Sequence, residues 1–269
     1  MKSFIKYAAP LALLASGNAH AVIIDLFDDP PGGQSVSDFN HDNMVPTPTN
    51  IFDGTGVFSE VGSFASILGG HRDLYVEKDI GVFQDDDRAR LAVAGGALSW
   101  SNDAGVQSVA SVQWDGDDDS PLLNAVNGLG VGGVDLSGDN AFRYTILESD
   151  IGFTFILGAY SSPTVFTTIA LTAAPVLAGS PVTETIPFFF FSNPIFCGAA
   201  NVQCGADDSS PVDFSAVTAL EVIFLSAGIS NIDLQIDMAD TVPEPTSLAL
   251  IGASLLAAGG VSRRRAKKA

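Results

Sequence analysis

Trp114-Asp115-Gly116-Asp117-Asp118-Asp119 places three carboxylates, Asp115, Asp117 and Asp119, at the first, third and fifth positions of a would-be calcium loop. Hard divalent cations take oxygen ligands, and acids this closely spaced repel one another unless something screens them. The EF-hand pattern fails beyond that point, because its sixth position is Ser120 where glycine is needed and its twelfth is Val126 where glutamate is needed. Two readings stay open: a calcium site carried on a loop of a β-sandwich, or a solvated acidic turn. Asp85, Asp86 and Asp87 form a second, weaker candidate, since Arg88 and Arg90 stand beside the run and could neutralise it without metal.

Other chemistry finds less support. Cys197 and Cys204 are the only cysteines, and the six residues between them do not fit Cys-x-x-Cys redox work. In a chain with an export leader they read as a disulfide closing a small loop. His41 and His71 are the histidines beyond that leader, too few for a zinc site. There is no Gly-x-Ser-x-Gly elbow and no His-Glu-x-x-His. Acid pairs for glycoside hydrolysis are so abundant that they signal nothing. The expectation is a protein without catalytic activity. Gly69-Gly70-His71-Arg72-Asp73 opens a strand, and Arg72, one of few cations in the body, is expected in a structural ion pair at a sheet edge.

The elements that must hold these residues are strands. Aspartate outnumbers glutamate 25 to 6, and 41 residues are Gly or Pro, which favours turns over helix interiors. Ile232, Leu234, Ile236 and Met238 alternate with Asn231, Asp233, Gln235 and Asp237, and residues 105–114 alternate likewise. Further strands are expected at 74–78, 88–94, 142–147, 151–157, 165–171, 182–191 and 218–225, separated by turn-rich joints. About ten strands without a comparable helix predict an all-β fold, an antiparallel β-sandwich of jelly-roll type. Residues 30–50, rich in Pro, Gly, Asn and Thr, read as an extended loop or an edge crossing. Phe188 to Phe191, four rings in a row on the last part of one strand, are either buried on both faces or form an exposed aromatic platform.

Charge and hydropathy divide the chain into three parts: a signal peptide at 1–21, an acidic body at 22–241 and a C-terminal signal at 242–269. Of 31 acids, 30 lie in residues 22–242 together with only five of the 12 bases. A body this anionic repels phosphate backbones, which excludes nucleic acid as a partner. Residues 1–21 carry two lysines, a short apolar run and small residues at Ala19 and Ala21, the pattern of a Sec-type leader. Thr246 to Val261 is apolar, about 24 Å as a helix, and reads as a single C-terminal transmembrane helix in the inner membrane. The basic cluster after it, Arg263, Arg264 and Arg265 first, stops transfer and leaves the body outside.

The order Pro243-Glu244-Pro245, apolar span, arginine cluster resembles the PEP-CTERM sorting signal of exported Gram-negative proteins. The resemblance implies that Pro243, Glu244 and Pro245 are read by an exosortase and that the body is delivered to the cell surface or beyond. The segments DLFDDPPGGQSV, GGHRDL, LSWSNDAGV and VQWDGDDD are similar to stretches of uncharacterised proteins of that kind, which implies a shared fold and no activity. The expected function is that of a non-enzymatic surface or extracellular-matrix protein. The alternative is a carbohydrate-binding module of the exopolysaccharide matrix, with Trp100, Trp114 and the Phe188 to Phe191 run as stacking surfaces. A hydrolase of matrix polymer comes third.

Overall fold

The computed structural model describes residues 21–39, 56–80, 87–120, 122–226 and 231–243. In chain order its strands are β1 (Ile23–Asp25), β2 (Gln34–Asp38), β3 (Val57–Val61), β4 (Arg72–Ile80), β5 (Ala89–Ala94), β6 (Ala97–Asn102), β7 (Gln107–Trp114), β8 (Asp139–Ser149), β9 (Phe153–Ser162), β10 (Val165–Ala173), β11 (Val182–Pro187), β12 (Val202–Cys204), β13 (Ala219–Leu225) and β14 (Asp233–Pro243). One short helix, α1 (Phe189–Ser192), follows β11. The strands form two seven-stranded antiparallel sheets. Sheet one runs β11-β8-β14-β6-β5-β2, with β1 added on β14, and sheet two runs β12-β10-β9-β13-β7-β4-β3. Among the described strands, only β3–β4, β5–β6 and β9–β10 pair with their immediate successors in the chain, and the other neighbours are non-consecutive strands. The expected antiparallel β-sandwich is therefore the architecture found.

Alternation sets the inner faces. On β7, Ala110, Val112 and Trp114 point into the core, as do Val106 just before it, Leu74 and Val76 on β4 and Leu220 and Phe224 on β13. Trp100 from sheet one meets Phe224 from sheet two at 5.6 Å between ring centres, and its indole N–H donates to Ser108 Oγ at 3.1 Å. At the other end Phe142, Phe188 and Phe214 close the core, with Phe188 and Phe214 stacked at 3.8 Å. The alternation of β14 holds as far as Ile236. A bulge at Met238, whose φ is 33°, then resets the phase so that Ala239 packs inward.

Three expectations are corrected. Residues 182–191 are not one strand, because pairing with β8 stops at Pro187 and the four phenylalanines turn into α1. The turn sends Phe188 and Phe191 inward and leaves Phe189 and Phe190 outside. Residues 30–50 are not all loop, since β2 lies there as the edge strand of sheet one, while 40–50 fall outside the described residues. Arg72 does not sit at a sheet edge. It shares the phase of Leu74 and Val76, points between the sheets and is fully buried.

Residues 1–20 and 244–269 lie outside the described residues, and with them the expected leader, Glu244, Pro245, the apolar span and Arg263, Arg264 and Arg265. Among the described residues no helix is long and apolar enough to cross a membrane.

Candidate functional site

The outer face of sheet two carries a cross-strand row of polar residues. Glu60 on β3 faces Asp73 on β4, Asp73 faces Gln113 on β7, Gln113 faces Glu221 on β13, and Glu221 faces Gly158 on β9. The row follows from period two. The phase that puts Arg72, Leu74 and Val76 into the core puts Asp73 outward, and the phase of Val112 and Trp114 does the same for Gln113. Gly158 is needed for its space, since a Cβ there would stand 2.8 Å from the Tyr160 ring, which lies over it and donates its hydroxyl to Glu221 Oε2 at 3.4 Å. Gln113 Nε2 donates to Glu221 Oε1 at 2.7 Å. Burial pushes the Glu221 carboxyl up to about 7, against the pull of those donors.

The loop after β7 folds over the β3–β4 end of this row. Gly116 meets the Gly128 carbonyl so closely, at a φ of 91°, that no Cβ would fit. This closure ties the chain back on itself around Asp115, whose Oδ2 accepts from the Asn124 amide at 2.6 Å. Asp118 Oδ1 accepts from Ser120 N at 3.1 Å, and Glu60 Oε2 accepts from Asp119 N at 2.5 Å. His71 Nδ1 stands 3.0 Å from Glu60 Oε1.

Two overlapping groups of ligand-type atoms result, each within 4.8 Å: Glu60 with Asp73 and Asp118, and Glu60 with His71 and Asp117. Asp115 lies in hydrogen-bonding reach of Asp73. Of the three loop aspartates singled out by sequence, Asp115 faces Asp73, Asp117 joins His71 and Glu60, and Asp119 contributes its backbone N–H to Glu60. Glu60 and Asp73 were not singled out. The phase of Asp73 opposite Leu74 and Val76 was a usable signal, whereas Glu60 lies in a strand with no sequence pattern to mark it. Desolvation, aided by Asp115, Glu60 and Asp118, pushes Asp73 up to about 9, and desolvation raises Asp115 to about 6.

A second concave feature is a cleft of about 350 Å³ between β10 and β11, lined by Tyr144, Phe155, Glu184, Phe190, Phe196 and Asn201 among others. Phe196 packs against Phe189 and Phe190 at 5.3 and 5.2 Å, and those two rings are 56% and 41% exposed. Trp100 and Trp114 are only 1% and 2% exposed, so neither is a stacking surface; both belong to the core. The cysteines form the expected disulfide, Cys197–Cys204, with Cα atoms 5.2 Å apart. It ties the segment after α1 to β12, at the edge of sheet two. Asp85 and Asp86 fall outside the described residues, and the Asp87 carbonyl accepts from Lys78 Nζ.

The end of β14 bears on sorting. Its last residues are Val242, opposite Ala141, and Pro243, opposite Asp139, so the strand ends on the first proline of Pro243-Glu244-Pro245. The model of the PEP-CTERM protein-sorting motif matches residues 241–265. The chain carries a PEP-CTERM sorting motif. The PEP-CTERM motif marks an exported protein sorted to the cell surface, with an exosortase as its processing partner. No curated protein matches the chain. Among solved structures it is similar to the family 11 carbohydrate-binding module from Clostridium thermocellum, determined in complex with a β-1,3-1,4-mixed-linked tetrasaccharide, at 11% identity and a TM-score of 0.39 over 84% of this chain and 98% of that one. The family 11 module of a cellulosomal cellulase from the same organism matches at 10% identity and a TM-score of 0.39, over 85% and 97% of the two chains. An agarase matches at 12% identity and a TM-score of 0.37, over 78% of this chain and 26% of its own.

Proposed function

We propose that this protein is a non-enzymatic component of the cell surface or extracellular matrix, held in the inner membrane by its C-terminal span only until an exosortase releases it. The observation that carries this reading is the position of the sorting motif, which overlaps the last three residues of the last strand of the sandwich. A folded acidic body is thereby joined to a delivery signal with no further domain between them. Asp73 is 2% exposed, so a polysaccharide does not reach it. The test is fractionation of cells expressing the chain with Glu244→Ala or truncated after Pro243. Surface delivery is expected to be lost in both, and delivery equal to that of the unaltered chain overturns the reading.

One observation favours carbohydrate binding as a second reading, namely the exposed Phe189 and Phe190, packed on the half-buried Phe196 beside the β10–β11 cleft. Sugar rings stack on exposed aromatic faces, and a cleft of this size takes one or two of them. A glycan array separates the two readings: binding that Phe190→Ala abolishes supports the second, and an empty array removes it.

A further inference from the structure

Asp73 presents a problem that the rest of the fold does not solve. The side chain is 2% exposed, yet neither carboxylate oxygen has a hydrogen-bond partner. Asp115 Oδ1 and Gln113 Oε1, beside it, also lack a donor. A buried acceptor without a donor costs about 1–3 kcal/mol, and more when charged, so three residues in one place call for a shared partner. That partner must be positive, because Asp73 faces Asp115, Glu60 and Asp118, all of them acids. The nearest arginine is already engaged: Arg72 gives its guanidinium to Asp25, Gln34 and the Asp29 carbonyl on the opposite face of β4. His71 is taken by Glu60.

We propose that Glu60, Asp73, Asp115 and Asp118 form a binding site for a hard divalent cation of the calcium class, set between the β3–β4 hairpin and the loop after β7. The donor set fits such an ion. Its atoms are carboxylate oxygens, those of Glu60, Asp73 and Asp118 lie within 4.8 Å of one another, and Asp115 adds the otherwise unpartnered Oδ1. Calcium accepts six to eight oxygens in irregular geometry, which backbone carbonyls and water complete. A single proton shared by Asp73 and Asp115 neutralises one acid of four, whereas a divalent ion offsets two charges and gives the unpartnered carboxylate oxygens of Asp73 and Asp115 a common partner. The site differs from the one legible in the loop alone, since two of its four ligands come from strands and Asp119 is not a ligand. It is independent of the sorting route.

The test is calcium titration into the full chain, purified in detergent and stripped with EDTA, followed by calorimetry and by melting temperature. One saturable event is expected, in the roughly 0.1–1 mM range of extracellular calcium modules, with a matching rise in melting temperature. Asp73→Asn and Glu60→Gln should each weaken binding at least tenfold, while Asp119→Asn leaves it unchanged. Terbium emission excited through Trp114, the neighbour of Asp115, gives a readout that does not depend on stability. Asp118→Asn, a loop change that leaves the strands intact, serves if the strand variants fail to fold. Absence of saturable binding up to about 10 mM calcium, ten times the weak end of that range, assigns the pair a shared proton and overturns the proposal. Equal calcium binding by Asp73→Asn, or a preference for zinc that His71→Ala removes, overturns it as well.

Discussion

Asp25 on β1 and Arg72 on β4 meet between the two sheets at 2.8 Å, both side chains with no exposure to solvent. The guanidinium also donates through Nε to Gln34 Oε1 at 3.0 Å and through Nη2 to the Asp29 carbonyl, and it lies over the Phe27 ring. Asp25 accepts in addition from the Trp114 indole at 2.9 Å and from the Phe27 amide at 2.8 Å. Burial pushes the Asp25 carboxyl up, and these donors oppose that push. The N-terminal segment of the body is thus held to sheet two by one saturated polar knot inside an apolar core.

Removing one partner leaves the other buried and uncompensated. Arg72→Met is expected to destabilise the body by about 3–5 kcal/mol, the cost of breaking a buried pair from one side. Asp25→Leu combined with Arg72→Met should recover part of the loss, because the stranded charge is gone. Urea denaturation of the single and double variants checks both points. A single variant within about 1 kcal/mol of the parent would mean that the pair is far better solvated than its burial indicates.

The disulfide invites a smaller and separate prediction. Cys197 and Cys204 are seven residues apart, and closing so short a loop restricts the unfolded chain only modestly. Cys197→Ser with Cys204→Ser should cost about 2–3 kcal/mol. The loss should fall on the β12 edge, where Cys204 pairs with Thr167. Hydrogen exchange is expected to rise at β12 and at the segment after α1, with β7 and β13 unchanged.

How far the sequence displayed this arrangement depended on what each residue answers to. β7, and β14 as far as Ile236, could be seen because one face of each meets the core, and the disulfide because only two cysteines exist. The α1 turn could not be seen: Phe188 to Phe191 fit a buried strand by composition, and only Pro187, at the end of the pairing with β8, marks the break. Arg72 was legible as an ion-paired residue but not as an interior one, since its partner lies 47 residues away on a three-residue strand. The acidic cluster was half visible. Its loop aspartates are adjacent in sequence, but Glu60 and Asp73 join them only through the register of β3 on β4 and of β4 on β7.

Glu221 supplies a pH dependence. Its carboxyl is raised from 4.5 to about 7, chiefly by burial, so the folded state holds the proton more tightly than the unfolded chain does. A group raised in this way contributes stability that is complete below about pH 4.5 and is lost as pH climbs through 7. Glu221→Gln keeps an acceptor for Gln113 and removes the titration. At pH 8, in EDTA, the variant should be more stable than the parent by on the order of 2–3 kcal/mol, with the gap closing towards pH 4.5. Melting curves of both proteins across that interval decide it, and a gap that does not vary with pH refutes the assignment.

The last strand sets where the chain can be cut without loss. β14 lies between β8 and β6 in sheet one, and its final five residues continue the pairing with β8. Asp240 there binds the Arg143 guanidinium through both carboxylate oxygens, and Thr241 Oγ1 donates to Asp139 Oδ2 at 2.7 Å while accepting from Val22 N at 2.8 Å. Truncation after Pro243 keeps every one of these contacts, so its melting temperature should equal that of the full chain. Truncation after Asp237 strips Arg143 of its carboxylate and β1 of the strand it pairs with, and should abolish cooperative unfolding. Because the motif begins inside β14, cleavage on the Glu244 side leaves a complete sandwich, whereas cleavage a few residues earlier would release a damaged one. The mass of the mature protein should therefore place its C-terminus at or beyond Pro243.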